Sequence, residues 1–278
     1  MDCFGKYYYL DGLICSAGNE AVVPRGEAAF YEIIRTFAGI PLFFNDHMKR
    51  MKEGIATRYP IPEGLTEEII KGIASLTECE LIPEINIRVL VTFSEGNHSL
   101  HICYVPSFYP SEKMYEEGVK LILYNAERPE PGVKLLNSEL KDRVNVELSR
   151  QNAYEALLVN SRGIITEGSR SNIFFFTGDD VIYTAPDDMV LQGITRKYII
   201  GLCQKEGIRM IFEPVRAKEI TRFPAAFITG TSPMVMPVKV IDNVRFTVRN
   251  SLILKLRRLF SEVAEQSIRN FLTERKED

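Results

Sequence analysis

Apolar and polar positions fall into two kinds of pattern along this chain. Lys6 to Cys15 reads as a short β-hairpin turned by Asp11-Gly12. Ile85 to Phe93 and Leu100 to Val105 are β-branched and alternating. Ser94-Glu95-Gly96-Asn97 splits them, so they predict a pair of strands. Glu27 to Phe37 instead places Phe30, Ile33, Ile34 and Phe37 at helical spacing and predicts a helix. Asn45 or Asp46 offers an N-cap for a helix carrying His47 and Arg50. Thr66 with Glu67 and Glu68 opens another helix that runs to about Thr77.

The second half continues the mixture. Strands are predicted at Val119 to Tyr124, Glu155 to Val159, Asn172 to Phe176, Val181 to Thr184 and Ala225 to Thr229. Helices are predicted from Ser138 to about Asn152, from Ile194 to Glu206 with Gly207 as its stop, and from Asn250 to Phe271. Strands and helices alternate without regular βαβ spacing. The expected fold class is therefore α+β (mixed α/β) rather than a doubly wound sheet or a TIM barrel. Pro106 to Glu117 is polar, holds two prolines and is the best candidate for a linker. The expected division is a small N-terminal domain over 1–110, a linker and first strand over 111–128, and a larger domain over 129–278.

Composition narrows the function. With 34 Lys+Arg against 37 Asp+Glu in 278 residues, the chain lacks the basic excess of a nucleic-acid binder. No apolar run is long enough to span a membrane. The opening Met-Asp-Cys-Phe-Gly-Lys lacks the basic segment and apolar core of a signal peptide. Five scattered cysteines (Cys3, Cys15, Cys79, Cys103, Cys203), none of them spaced as CxxC, and only three histidines predict no metal site. They also predict reduced thiols in a cytoplasmic protein.

Four segments offer what a phosphate-bearing aromatic ligand needs. Gln192-Gly193-Ile194-Thr195-Arg196 opens a helix, where free N–H groups and the positive dipole end suit a phosphate. Thr229-Gly230-Thr231-Ser232 ends an apolar strand with small hydroxyl residues, as ligand crevices often do. Taken alone, each segment reads first as an ordinary helix start or polar turn. Thr166-Glu167-Gly168-Ser169-Arg170-Ser171-Asn172 leads into Ile173-Phe174-Phe175-Phe176. A carboxylate buried beside that run needs a cation, such as a protonated pyridine nitrogen; otherwise Glu167 sits in an exposed turn. In Val133-Lys134-Leu135-Leu136-Asn137 a lysine among apolar neighbours could act as nucleophile or base, or could simply reach the surface. Lys141 is a rival on a more polar helix face. No Ser-His-Asp or Cys-His arrangement and no GxxxxGK[ST] loop is present.

These segments, in this order, resemble the class IV aminotransferases, the fold-type IV pyridoxal-phosphate enzymes. That family holds branched-chain aminotransferases, D-amino acid aminotransferases and aminodeoxychorismate lyase. The matching stretches are Phe30-Tyr31-Glu32, His47-Met48-Lys49-Arg50, Val133 to Asn137, Tyr154 to Leu158, Thr166 to Phe174, Leu191 to Arg196 and Ile228 to Pro237. The EGSRSNIF and GITR segments are the most specific of them. Lys134 lies 20 residues before Tyr154, which matches the family's Schiff-base lysine and sets Lys141 aside.

The resemblance implies a small N-terminal α/β domain and a larger one, with pyridoxal 5'-phosphate between them, usually in a homodimer. It makes Lys134 the catalytic lysine that holds the cofactor and shuttles a proton. Glu167 would pair with the ring nitrogen, and Arg50 would grip the phosphate together with Ile194, Thr195 and Thr231. Tyr31, Arg88, His98 and Ser232 would contact substrate.

The specificity patterns are incomplete. Glu139 stands where branched-chain enzymes carry a Tyr, and Asn86-Ile87-Arg88 keeps only the Arg of their Tyr-x-Arg. Tyr31 and His98 match the D-amino acid pattern, but Gly96 stands where its Arg belongs. Arg88 either takes a substrate carboxylate or faces solvent or an acid such as Glu84.

The expected activity is transfer of an amino group between a branched-chain L-amino acid and a 2-oxo acid such as 2-oxoglutarate. D-amino acids or aminodeoxychorismate cleavage are the enzymatic alternatives, and a non-catalytic phosphate-ligand binder is the other class.

Overall fold

In the computed structural model, which describes residues 3–17, 26–136 and 138–274, chain contacts divide the molecule into two units. The first comprises the chain through Phe108, the short segment Val133–Leu136 and the residues from Ala264 onward. The second comprises Tyr109–Gly132 and the chain beyond Asn137 as far as Val263. Asn137 itself, the last residue of the lysine-bearing motif, lies outside the described residues.

The first unit contains β1 (Phe4–Leu10), β2 (Leu13–Ser16), β3 (Ala28–Phe37), β4 (Ile40–Pro41), α1 (Phe44–Ala56), α2 (Leu65–Cys79), β5 (Glu84–Ser94) and β6 (Asn97–Val105). Its strands form one six-stranded sheet in the order β2-β1-β6-β5-β3-β4. The hairpin turn falls at Asp11-Gly12, both at positive φ as a two-residue turn requires. The pair split at residues 94–97 is β5 and β6, in continuous antiparallel register from Asn86↔Val105 to Ser94↔Asn97.

The helix expected over Glu27 to Phe37 is a strand. β3 pairs with β5 through ten consecutive residues, from Ala28↔Phe93 to Phe37↔Glu84. Helical spacing misled here because the true period of two includes charged residues. Phe30, Glu32, Ile34 and Thr36 lie on one face, and all four are buried. A buried Glu in the apolar register conceals the alternation. α1 also departs from expectation at its start. Its N-cap is Phe43 in the left-handed region, with no side-chain cap bond, rather than Asn45 or Asp46. The Phe43 N–H donates to Ser267 Oγ at 2.9 Å.

The second unit contains α3 (Glu112–Glu117), β7 (Val119–Asn125), α4 (Ser138–Gln151), β8 (Glu155–Val159), β9 (Ile164–Gly168), β10 (Asn172–Phe176), β11 (Ile182–Thr184), α5 (Ile194–Lys205), β12 (Met210–Phe212), β13 (Val215–Arg216), β14 (Ala225–Gly230), β15 (Met234–Ile241), β16 (Val244–Arg245) and α6 (Ser251–Glu274), the last turns of which group with the first unit. Its ten strands follow the order β12-β11-β10-β14-β15-β7-β8-β9-β13, with β16 on β15. The sheet is mixed: β7 runs parallel to β8 and to β15, while β14 is antiparallel to β10 and β15. Within residues 111–128 stand α3, capped by the Ser111 hydroxyl, and β7. Strands β9, β12, β13, β15 and β16 have no counterpart in the sequence reading. β9 carries Thr166 and Glu167, whose polarity hides a strand in which every residue is buried.

In the first unit both helices pack on the face of the sheet that holds Phe30, Ile34, Ile87, Val89, Ile102 and Tyr9. Gly72 of α2 makes that approach possible. A Cβ there would stand 2.7 Å from Ile102 Cδ1 and 3.1 Å from the Tyr9 ring. Gly72→Val should therefore destabilise the protein by about 2 kcal/mol or more through overpacking. Gly201 of α5 meets nothing within 4 Å, so Gly201→Ala should stabilise it by about 0.5–1 kcal/mol. Chemical denaturation of both variants checks the pair of signs.

Candidate active site

The two faces of the small sheet do different things. Opposite residues of antiparallel neighbours share a face. The register Tyr31↔Leu90↔His101 and Ile33↔Arg88↔Cys103 therefore puts Tyr31, Arg88, His101 and Cys103 on the face away from the helices. Val133–Leu136 adds itself to the free edge of β3. Tyr31 N–H donates to the Lys134 carbonyl at 3.2 Å, Leu136 N–H donates to the Ala29 carbonyl at 3.0 Å, and Phe30 bridges Leu135. These backbone bonds hold Lys134 in place. Its Nζ lies 4.7 Å from the centroid of the Tyr31 ring, a cation–π contact, and the residue is half-buried.

On the helix face, Glu32 is fully buried and gathers two partners from α1. Arg50 donates from Nε to Oε1 at 2.8 Å and from Nη2 to Oε2 at 2.5 Å, and His47 Nδ1 lies 2.8 Å from Oε2. Burial opposes ionisation of Glu32. The Arg50 charge and the hydrogen bonds from His47 and Arg50 outweigh it and hold the carboxyl at about 2. Burial, more than the attraction of Glu32, pushes the His47 pKa below its ordinary value, with the Arg50 and Lys134 charges acting in the same direction. A neutral His47 donating from Nδ1 to the carboxylate satisfies both groups. The predicted phosphate grip Arg50 is thus oriented by Glu32.

Arg88 is buried and does not meet Glu84, which pairs with Arg35. Its Nη2 points to Cys103 Sγ at 3.3 Å, and its Nε has no hydrogen-bond partner among the described residues. His98, at the exposed start of β6 opposite Phe93, lies on the helix face of the sheet rather than with Tyr31 and Arg88.

In the second unit Glu167 is buried on β9, not in an exposed turn. Its Oε2 accepts the Leu191 N–H at 3.1 Å. Arg128, which the sequence did not single out, has Nε 2.9 Å from Oε1, close in charge but out of line for a hydrogen bond. Asn172 donates to the Leu191 carbonyl at 2.9 Å. Glu167 and Asn172 therefore both anchor Leu191, three residues before the start of α5 at Ile194. Ile194 and Thr195 are buried in the first turn, and Gly193 caps the helix without a side-chain bond. Beside them β14 carries Thr229, paired with Asn172, whose buried Oγ1 has no partner among the described residues. Thr231 and Ser232 follow in the turn after β14.

The EGSRSN turn is organised by a residue that sequence reasoning placed only in a matched stretch. Glu155, buried at the start of β8, accepts from Ser169 Oγ at 2.6 Å, Ser171 Oγ at 2.9 Å, and the backbone N–H of Arg170 at 3.1 Å and of Ala156 at 2.8 Å. The turn closes so tightly that a Cβ on Gly168 would stand 2.0 Å from Ser171 Oγ. The signal was legible in kind, since a Glu beside apolar residues needs donors, but three of its four donors lie 14–16 residues away.

Residues 29–241 match the family described as Amino-transferase class IV. A Methanocaldococcus jannaschii protein that carries the name of a branched-chain-amino-acid aminotransferase is 28% identical over 76% of this chain and 78% of its own length. A D-alanine aminotransferase of Bacillus licheniformis is 27% identical over the same shares. Among solved structures, the branched-chain aminotransferase of Thermoproteus uzoniensis with norvaline superposes with a TM-score of 0.79. It is 22% identical and covers 96% of this chain and 97% of that one, a likeness of fold.

Both shifts in the helix-face cluster are depressions, so both contributions are complete at neutral pH and are lost on acidification. That of His47 goes below about pH 6.5, and that of Glu32 between about pH 4.5 and 2. Glu32→Gln should flatten the lower part of the stability–pH curve. It should also destabilise the protein by about 1–3 kcal/mol at pH 7, because the partly buried Arg50 loses the Glu32 carboxylate. Urea denaturation across pH 3–7 measures both effects. An unchanged acid limb would remove Glu32 from this account.

Proposed function

The chain belongs to the class IV aminotransferase family of pyridoxal-phosphate-dependent enzymes, and from that premise we propose that it is a cytoplasmic, homodimeric branched-chain L-amino acid aminotransferase with 2-oxoglutarate as acceptor. One observation carries the substrate reading. The sheet face that holds Lys134 against Tyr31 is apolar at Ile33 and Leu90 and bears a buried arginine, Arg88, whose Nε lacks a partner among the described residues. An apolar wall with one guanidinium suits two alternating substrates: an aliphatic side chain, and a dicarboxylate whose second carboxylate reaches the arginine.

The residues present fit the cofactor. The start of α5 has no side-chain cap, Thr229 Oγ1 is a buried donor without a partner among the described residues, and Glu167 is a buried carboxylate at the same helix start. Pyridoxal phosphate, when bound, supplies an electron sink for charge developing at the substrate α-carbon. In this reading Lys134 holds the cofactor, then takes the α-proton on Nζ and returns it, its backbone fixed to β3. Glu167 offers its carboxylate to the ring nitrogen, with Leu191 N–H fixing one oxygen. Ile194, Thr195 and Thr231 offer N–H and hydroxyl donors to the phosphate, and Arg50 adds its charge from a position set by Glu32. Ser232, beside Thr231, offers its backbone N–H to the substrate carboxylate. His98, at the hairpin tip, is kept as a substrate contact only for the second reading.

That second reading is a D-amino acid aminotransferase, favoured by the nearly equal identity to the Bacillus licheniformis enzyme. Mixing the cofactor-loaded protein with L-leucine and, separately, with D-alanine decides between them by the change in cofactor absorbance. Conversion by D-alanine alone would overturn the branched-chain assignment.

Lys134→Ala should lose the visible cofactor band that borohydride removes from the parent protein, and at least about a thousandfold in turnover. Arg88→Ala should raise KM for 2-oxoglutarate by about ten- to a hundredfold, the worth of a charged hydrogen bond, while KM for L-leucine moves much less. Steady-state kinetics with each substrate varied in turn would reveal an equal effect on both, which would take Arg88 out of acceptor recognition.

A further inference from the structure

Cys3, His101 and Cys103 bring two sulfur atoms and a ring nitrogen within 4.8 Å of one another. Three features assemble them. Cys103 faces Arg88 across the β5–β6 register. β1 slips against β6 between Phe4 and Tyr8, with Gly5 at φ +95°, so the chain turns Cys3 back toward Cys103. Tyr8 stacks on His101 at 5.1 Å between centroids and fixes the imidazole.

The charge distribution opposes a metal ion and favours a thiolate. Arg88 Nη2 lies 3.3 Å from Cys103 Sγ and 3.8 Å from Cys3 Sγ, so a guanidinium already stands where a divalent cation would have to compete. His101 Nε2 is 3.9 Å from Cys3 Sγ, while its buried Nδ1 has no acceptor among the described residues, the acceptor that normally orients a ligating imidazole. The two sulfurs also differ. Cys3 is partly exposed, and the hydrogen bond from Cys103, against the opposing effect of burial, with help from His101 and Arg88, brings its thiol down to about 5. Cys103 is buried and pushed up, chiefly by its bond to Cys3.

We propose that Cys3 and Cys103 are an oxidisable thiol pair in which Cys3 is the peroxide-reactive thiolate and Cys103 the resolving thiol. The Cys3 thiolate attacks one oxygen of a hydroperoxide, the O–O bond breaks, and Cys3 becomes a sulfenic acid as the other oxygen leaves as hydroxide or alkoxide and takes a proton. The Cys103 sulfur then attacks the Cys3 sulfur, the S–OH bond breaks, and hydroxide leaves with the Cys103 proton as water. With hydrogen peroxide the sum is two thiols and one peroxide giving one disulfide and two waters. The chemistry rests on the geometry of this cluster and not on which amino acid the enzyme uses.

The test treats the full-length, cofactor-loaded protein with stoichiometric hydrogen peroxide at pH 7. Titratable thiols should fall from the five in the sequence to three. Peptide mapping should recover a Cys3–Cys103 disulfide that dithiothreitol reverses. Cys3→Ser should keep all its remaining thiols at the same dose. Cys103→Ser should accumulate a sulfenic acid on Cys3 that dimedone traps. If that variant does not fold, the Cys3→Ser comparison decides alone, because Cys3 lies partly exposed beside the first strand. Equal oxidation of Cys3→Ser and the parent, a disulfide between other cysteines, or one zinc per chain that Cys3→Ser loses would each overturn the proposal.

Discussion

A carboxylate buried on a β-strand must be given donors by the rest of the chain, and three such carboxylates organise this molecule. Unpartnered, each would cost several kcal/mol. Glu32 draws Arg50 and His47 from α1 onto the small sheet. Glu155 draws in both hydroxyls and a backbone N–H of the EGSRSN turn. Glu167 draws in the N–H of Leu191 and the charge of Arg128, and so fixes the approach to α5. In two of the three cases, Glu32 and Glu167, a requirement of folding also fixes a side chain or helix start of the proposed site.

The period of two in the small sheet separates a packed face from the face that carries the proposed site. One face packs α1 and α2 through an apolar core and holds the Glu32 cluster. The other face carries Tyr31, Arg88, His101 and Cys103, with Lys134 attached to the edge of β3. A lysine tethered by strand-type backbone bonds loses little further freedom when it acts, which is the advantage of building a site on a rigid element. Arg88 belongs to two arrangements at once. Its Nη2 serves the sulfur pair, while its Nε points to no described acceptor. A change in the charge of those sulfurs therefore acts directly on the residue proposed to read the acceptor.

Much of the molecule was legible locally. The hairpin at Asp11-Gly12, the β5–β6 pair, α2, α4, α5 and the long C-terminal helix follow from turn chemistry and apolar spacing. The need of Glu167 for a partner could be named because a carboxylate among apolar residues demands one whatever the fold. β3 and β9 were not legible, because Glu32, Arg35, Thr166 and Glu167 are polar residues buried in strands, and they break the contrast on which periodicity depends.

What the residue order determined by itself was therefore the set of local elements and the few groups with an unmet chemical need. The tertiary structure decided who meets that need. Arg128 reaches Glu167 from 39 positions away, Cys3 reaches Cys103 across a slipped strand pair, and Val133–Leu136 returns to β3 from beyond the polar stretch at Pro106–Glu117. These contacts join residues far apart in the chain, and their energy arises only when both partners leave water together. No local period along the sequence records that.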